Sequence, residues 1–172
     1  MHMRTKKWAK PELEVCPYFT NEPETKRGHW REQFKKDQPL YLELGCGKGV
    51  STAAMVRDNL DINYVAMDIT CNVLGDTRRN MEAAFAGEPV ENVIIARYDI
   101  SYIKKVFAPE DRVERIYINF CNPWTKRPKY AKRRLTHPRQ LMQYREFLVD
   151  GGEIWFCLLY TSDAADDLLC VD

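Results

Sequence analysis

The sequence lacks an apolar run close to the eighteen residues that a transmembrane helix requires, and it lacks the apolar core of a signal peptide. We therefore expect neither a membrane span nor a membrane partner. An excess of one charge is also missing, because the formal net charge is +1. Such a balance identifies no partner until the distribution of the charges is considered.

Paired cysteines are absent as well. The six cysteines include no C-x-x-C pair, and no histidine stands at the spacing of a zinc site. This pattern argues against a structural zinc site and against a disulfide framework, so we expect no metal. Free cysteines are typical of a reducing compartment, and the predicted location is the cytoplasm.

Glycine is scarce, with eight residues in 172, yet three of the eight lie in one short turn. An apolar strand, 40–44, carries an acid at Glu43 and leads into Gly45, Gly47 and Gly49, after which the pattern becomes helical. Glycines at a strand-to-helix turn permit positive φ angles and a close approach of backbone to ligand. The amides at the helix start would face that ligand with a favourable dipole. The turn therefore predicts a cofactor site.

Short apolar runs alternate with helical patterns from residue 40 onward. The predicted strands are 40–44, 64–67, 93–96, 115–120 and 153–156, and the predicted helices are 50–59, 72–85, 102–107 and 138–149. Continuous apolar strands separated by helices imply βαβ units. The sequence thus predicts an α/β domain, a mostly parallel sheet with helices on both faces.

Three segments differ in composition. Residues 1–38 are polar, with Trp8, Trp30 and Phe34 as isolated apolar points, and residues 3–10 hold four cations and no acid. We interpret them as a basic N-terminal arm that touches an anionic partner, or as a solvated tail. Residues 39–156 form the predicted cofactor-binding domain, and residues 157–172 form an acidic tail.

Polar residues collect at the predicted strand ends. Asp68 closes the second strand, Asp99 follows the third, and the fourth runs into Asn119 and the residues after it. Each acid alone could be a helix N-cap or a loop residue. Together with the glycine turn they suit a bound nucleoside, which needs acceptors for its ribose hydroxyls and its adenine amino group.

The spacing of the glycines indicates which nucleoside is bound. The dinucleotide fingerprint is G-x-G-x-x-G, whereas this chain has G-x-G-x-G with Glu43 two residues before the first glycine. A carboxylate there would repel a pyrophosphate and would attract the ammonium of an amino acid. S-adenosylmethionine combines that ammonium with a ribose and an adenine, and it is the predicted cofactor.

A basic segment follows the fourth strand. Six of the nine residues from Lys126 to Arg134 are basic, and no acid interrupts them. A solvated loop is one interpretation, and a contact with a phosphate backbone is the other. Trp124 and Tyr130 could stack on an unpaired base or anchor the loop in the core.

Three motifs together resemble the bacterial tRNA (guanine-N7)-methyltransferase family. They are Met3-Arg-Thr-Lys-Lys-Trp-Ala9, the turn Glu43-Leu-Gly-Cys-Gly-Lys-Gly49, and Tyr117-Ile-Asn-Phe-Cys-Asn-Pro-Trp-Thr-Lys126 with Lys132-Arg-Arg-Leu-Thr136 behind it. The resemblance implies a Rossmann-like class I methyltransferase fold. It also implies methyl transfer from S-adenosylmethionine to guanine 46 in the variable loop of tRNA.

The resemblance also implies roles for individual residues. The predicted cofactor-binding residues are Glu43, Gly45, Gly47, Gly49, Asp68, Asp99 and Asn122. Asn122 is also the predicted catalytic residue, because its position would lie between cofactor and base. The predicted substrate-binding residues are Lys126, by resemblance, and Lys132, Arg133 and Arg134, by their charge.

The chain departs from the family pattern at two motif positions and at its end. Asn122 replaces an aspartate and Thr125 replaces a proline. Residues 157–172 contain four acids and no base, where the family continues with further helices and strands. We interpret this tail as a truncated or altered end, so the last strands should be missing and a sheet edge uncovered.

Two other functions remain open, and the expected oligomeric state is a monomer. The chain could methylate another RNA or a protein, or it could be a catalytically impaired RNA-binding module with the same fold.

Overall fold

The computed structural model describes residues 5–121, 128–159 and 168–171, and within them seven strands form one sheet. The strands are β1 Phe19–Thr20, β2 Leu40–Leu44, β3 Asn63–Asp68, β4 Val93–Arg97, β5 Val113–Asn119, β6 Leu148–Leu159 and β7 Leu168–Val171. Their order across the sheet is β1-β4-β3-β2-β5-β6-β7, and each neighbouring pair is parallel except β6 and β7. The prediction of a mostly parallel sheet is confirmed.

Helices connect these strands. The α-helices are α1 Ala9–Glu14, α2 Val50–Asp58, α3 Cys71–Phe85 and α4 Pro138–Tyr144. Short 3-10 helices span Pro23–Lys26, Arg31–Gln33, Ile100–Lys105, Pro109–Asp111 and Pro128–Arg133. The helix predicted at 102–107 is therefore a 3-10 helix that starts earlier. The helix predicted at 138–149 ends at Tyr144, because Leu148 already pairs with Val113 in the sheet. A helix long and apolar enough to cross a membrane is not found in the described part of the chain.

The core lies on both faces of the sheet. On one face, buried residues such as Leu42 of β2 and Ile116 of β5 pack with Ile103 and with Tyr144 of α4. On the other face, Ala66 of β3 packs with residues of α1, α2 and α3. Since the central strands are buried on both faces, their sequences are almost continuously apolar. This accounts for the success of the strand predictions.

The N-terminal segment packs against the domain over its described residues, 5–38. Trp30 is fully buried, its indole N–H donates to the Val106 carbonyl at 2.9 Å, and its ring stacks on Phe107 at a centroid distance of 5.1 Å. Helix α1 packs on α3, and β1 pairs with β4. The described residues 5–38 are therefore docked on the domain, and their isolated apolar residues form no period that a sequence reveals. Contact of the basic residues with an anionic partner stays a prediction.

The end of the sheet also differs from the expectation. Residues 168–171 form β7, which pairs antiparallel with Phe156 to Leu159 at the carboxyl end of β6. Strand β7 is therefore formed by the acidic tail 157–172 and is not one of the family's strands that were expected to be missing. Over the described residues, the pairing on that side of β6 does not extend to Leu148–Trp155.

Candidate functional site

The carboxyl ends of four parallel strands bring the predicted acids to one edge of the sheet. The glycine turn follows β2, Asp68 ends β3, Asp99 lies two residues after β4, and Asn119 ends β5. The order β4-β3-β2-β5 places these groups side by side. In open α/β sheets, ligands bind at this edge.

The glycine turn is packed tightly between two helices. Gly45, Gly47 and Gly49 have φ angles of 84°, 56° and 67°, in the left-handed region. A Cβ atom at Gly49 would lie 2.8 Å from the Cβ of Thr77 in α3, so only glycine fits there. The Thr77 hydroxyl donates to the Gly47 carbonyl at 2.8 Å. Helix α3 thus holds the turn in place through Thr77.

The amides of the turn are engaged within the protein. The N–H groups of Gly45 and Cys46 both donate to the Met67 carbonyl at 2.9 Å, and the Gly47 N–H donates to the Asp68 carboxylate at 3.1 Å. A phosphate-binding turn presents such amides to its ligand. These three turn amides are therefore occupied within the protein, which disfavours a pyrophosphate at the turn.

Glu43 is an enclosed carboxylate beneath the turn, with 2% of its surface exposed. One oxygen accepts from the Thr52 hydroxyl at 2.6 Å and the Tyr64 hydroxyl at 3.3 Å, and the other accepts from the Asn119 amide at 3.2 Å. Burial raises the pKa of Glu43, while these hydrogen bonds act in the opposite direction. The site therefore holds a desolvated acid oriented by three donors.

Asp68 and Asp99 are both helix-cap or loop acceptors and lining residues of a cleft. Asp68 accepts from the amides of Gly47 and Thr70, each at 3.1 Å, and burial raises its pKa. Asp99 caps the 3-10 helix Ile100–Lys105 by accepting from the Ser101 amide at 2.9 Å. The capping interpretation and the ligand interpretation therefore coexist, because each acid keeps an oxygen lone pair for the cleft it lines.

Two clefts adjoin at this edge. The Glu43 cleft, of about 240 Å³, is lined by Glu43, Asn119 and the start of α2. The Asp99 cleft, of about 690 Å³, is lined by Asp68, Asp99 and apolar side chains that include Ile69 and Ile100. Gly45, Gly47 and Phe120 line both clefts. The molecule therefore offers a small site with one buried carboxylate, joined to a larger site with two carboxylates and apolar walls.

The basic segment borders the larger cleft. Lys132, Arg133 and Arg134 are exposed, and Arg133 lines the Asp99 cleft with its guanidinium 4.9 Å from the Tyr130 ring centroid. Asn122 and Lys126 lie outside the described residues. Among the described residues, no group of three or more His, Cys, Asp or Glu side chains is placed to hold a metal ion.

Sequence reasoning assigned no individual site role to Thr52, Asn119 or Phe120, although it noted Asn119 at the end of the fourth strand. Thr52 is a buried hydroxyl in the first turn of α2, and Asn119 is a half-buried amide that ends an apolar strand. These were the available signals. Phe120 had none, because an aromatic residue after an apolar strand is ordinary core composition.

Solved structures with a similar backbone are methyltransferases. An antibiotic-related methyltransferase superposes with a TM-score of 0.52 at 14% identity, covering 94% of this chain and 68% of that one. The 16S rRNA methyltransferase KamB superposes with a TM-score of 0.54 at 16% identity, covering 91% of this chain and 60% of that one. At these identities the likeness shows the fold, a Rossmann-like class I methyltransferase fold.

Sequence comparison identifies the family. The family model described as "Putative methyltransferase" matches residues 37–165. The tRNA (guanine-N(7)-)-methyltransferase of Clostridium botulinum (strain Eklund 17B / Type B) is 50% identical over 158 residues, and that of Clostridium beijerinckii is 51% identical over 158 residues. Each match covers 91% of this chain and 72% of the relative. The chain therefore belongs to the tRNA (guanine-N(7)-)-methyltransferase family.

Proposed function

We propose that this chain transfers a methyl group from S-adenosylmethionine to N7 of a guanine in tRNA, at position 46 of the variable loop. The observation that carries the proposal is the pair of adjoining clefts, one small and lined by the buried Glu43, the other larger and lined by two carboxylates and apolar side chains. The names of the relatives support the same substrate and the same acceptor atom.

The residues present fit this methyl donor. Glu43 would face the ammonium of the amino-acid end, since it is the carboxylate of the smaller cleft. Asp68 would accept from the ribose hydroxyls and Asp99 from the adenine amino group. Gly45 and Gly47 carry no side chain between the two clefts, so they leave room for the donor to extend across both.

Methylation of guanine N7 requires that the reactants be aligned more than it requires proton transfer. When bound, S-adenosylmethionine supplies a methyl group whose bond to sulfur breaks, leaving its electron pair on sulfur, as the guanine N7 lone pair forms the new bond. N7 carries no proton, so the chain needs no general base. Its residues hold the two partners in line, and positioning of this kind can supply much of a rate enhancement.

Asn122 is the proposed positioning residue between donor and base. It follows Cys121, which lines the Asp99 cleft, and its carbonyl can accept from base N–H groups or from the donor ammonium. Asn122→Ala is expected to lower turnover roughly 10- to 100-fold without changing the unfolding midpoint. Single-turnover kinetics measure the loss, and Asn122→Asp, which retains an acceptor, is the control that should keep activity. An Asn122→Ala chain with unchanged turnover and unchanged binding of both ligands would refute the role.

The exposed cations after β5 are proposed to hold the tRNA backbone. Neutralising two of them, Lys132→Gln with Arg134→Gln, should reduce the slope of log affinity against log salt by about 1.5, because each phosphate contact releases counterions. This pair leaves Arg133 in the cleft unchanged. Lys35→Gln with Lys36→Gln removes the same charge at the opposite edge of the sheet, near the start of β3, and should leave the slope unchanged. Filter binding across a salt series measures both, and equal slopes for the two double variants would remove the segment from the interface.

Transfer of labelled methyl groups to tRNA, followed by chain cleavage specific for N7-methylguanine, tests the function as a whole. Label in tRNA at another atom, or in protein, would indicate a different acceptor. Binding of S-adenosylmethionine and tRNA without transfer would indicate an RNA-binding module. The proposed location is the cytoplasm and the proposed state is a monomer, which sedimentation of the purified chain measures.

A further inference from the structure

Phe120 stands at the junction of the two clefts. Of the three described residues that line both clefts, two are glycines, so Phe120 contributes the one side chain that both share. Its side chain is not part of the core, since 43% of the residue is exposed. An aromatic ring at this point therefore belongs to the site and not to the packing of the sheet.

The backbone of Phe120 has an uncommon conformation. Its φ is 51°, in the left-handed region that L residues other than glycine rarely adopt. Ala86 and Arg112 also have positive φ, but each follows a helix end, where this conformation is frequent. Phe120 instead follows strand β5, and its N–H donates to the Cys157 carbonyl of β6 at 2.8 Å. The sheet thus holds a strained aromatic residue in place, and such strain concentrates at functional sites.

The position of Phe120 indicates what it contacts. A donor with its adenosine in the Asp99 cleft and its amino acid in the Glu43 cleft must place the sulfur between them at the residues the clefts share. That sulfur is a positively charged sulfonium in S-adenosylmethionine and a neutral thioether in the product S-adenosylhomocysteine. The face of an aromatic ring attracts a cation more strongly than it attracts a neutral thioether.

We propose that the Phe120 ring is a specificity-determining contact that recognises the charged sulfonium, so that the site holds the methyl donor more tightly than the demethylated product. The inference rests on the proposed function. Its consequence is a preference for the reactive form of the cofactor and easier release of the spent form.

Calorimetric titration with S-adenosylmethionine and with S-adenosylhomocysteine tests the proposal. Phe120→Leu keeps an apolar side chain and removes the ring, and it should weaken binding of S-adenosylmethionine about three- to tenfold while binding of S-adenosylhomocysteine changes less than about twofold. Phe120→Tyr keeps the ring and should restore the wild-type ratio of the two constants. Trp155→Leu is the matched control, because Trp155 is an aromatic residue of similar exposure, 38%, whose ring contacts Tyr117 in the sheet.

The outcomes are distinguishable. Equal weakening of both ligands by Phe120→Leu would mean that the ring only fills space, and it would overturn the inference while leaving the proposed function intact. No change in either ligand would overturn it as well. A wild-type chain that binds neither ligand would overturn the proposed function together with the inference. Phe120→Gly removes the ring and the cost of a left-handed φ together, and it should lose the preference for the charged ligand.

Discussion

Glu43→Gln is expected to weaken S-adenosylmethionine binding roughly 10- to 100-fold, because it removes a charge-assisted contact in a desolvated site. The substitution keeps the shape of the side chain. The amide oxygen can accept from the Thr52 and Tyr64 hydroxyls, and the amide nitrogen can donate to Asn119 once that side-chain amide flips. The loss should therefore be one of affinity more than of folding. Calorimetry on the folded chain measures the affinity, and thermal unfolding without ligand measures the stability.

Asp111→Asn is the control for removing a buried carboxylate. Asp111 is fully buried at the other end of the sheet, where it accepts from the amides of Gly28, Trp30 and Ala108 at 2.8 to 2.9 Å. This variant should lower the free energy of unfolding, since an asparagine cannot accept all three bonds with equal strength, and should leave donor affinity unchanged. If instead both variants lost stability and neither lost affinity, Glu43 would be a structural acid only.

The pH dependence gives a second measurement on the same residue. Burial raises the pKa of Glu43, so protonation neutralises the carboxylate at a higher pH than for an exposed glutamate. Donor affinity should fall as the pH falls through that raised pKa, and Glu43→Gln should lose this dependence. The stability of the chain without ligand changes with pH in the opposite direction. Between the ordinary pKa and the raised one the native state binds more protons than the unfolded state, so the contribution of Glu43 to the free energy of unfolding decreases as the pH rises.

Gly49→Ala should destabilise the fold by about 3 kcal/mol, a large part of the 5 to 15 kcal/mol typical of a domain. The alanine would need a left-handed φ, which costs about 1 to 2 kcal/mol, and its Cβ would overlap the side chain of Thr77. Relief of that overlap requires α2 and α3 to separate, which would also shift the turn that lines both clefts. Urea unfolding monitored by circular dichroism measures the change.

Gly47→Ala separates the cost of the left-handed φ from the cost of the overlap with Thr77. Gly47 also has a positive φ, but no heavy atom lies within 4 Å of the position its Cβ would take. This variant should therefore destabilise the fold only by the cost of the left-handed φ. Thr77→Ser removes the methyl group nearest to Gly49 and keeps the hydroxyl that bonds to Gly47, so it should partly restore the stability of Gly49→Ala. Equal losses for the two glycine variants would show that the approach of α3 to the turn is unimportant.

The sequence predicts the central part of this fold well, because burial on both faces makes β2, β3, β4 and β5 continuously apolar and easy to delimit. The parallel topology then implies that Asp68, Asp99 and the glycine turn meet at one edge, and they do. The partners of Glu43 were not predictable. Thr52 and Asn119 reach it through the placement of α2 and the register of β5 on β2, which no local pattern encodes.

Other features of the fold were also not predictable, because they depend on tertiary contacts and not on a local pattern. The helix expected to continue to Val149 stops five residues earlier, and Leu148 and Val149 are apolar whether they lie in a helix or in a strand. The packing of Trp30 under the sheet is a contact with residues more than seventy positions away. The roles of Asn122 and Lys126 stay predictions.

The docked N-terminal segment has a consequence for the order of folding during synthesis. Lys6 is paired with Asp76, Glu12 with Arg78 and Arg79, and Trp30 with Val106, at sequence separations of 66 to 76 residues. Contacts of such high contact order form late, because a long loop must close first. Lys6, Glu12 and Trp30 leave the ribosome before these distant partners do, and Trp30 waits until Val106 and the residues after it have emerged. We expect the earliest-made part of this chain to be among the last to fold, so a chaperone or an N-terminal fusion would act on it during that interval.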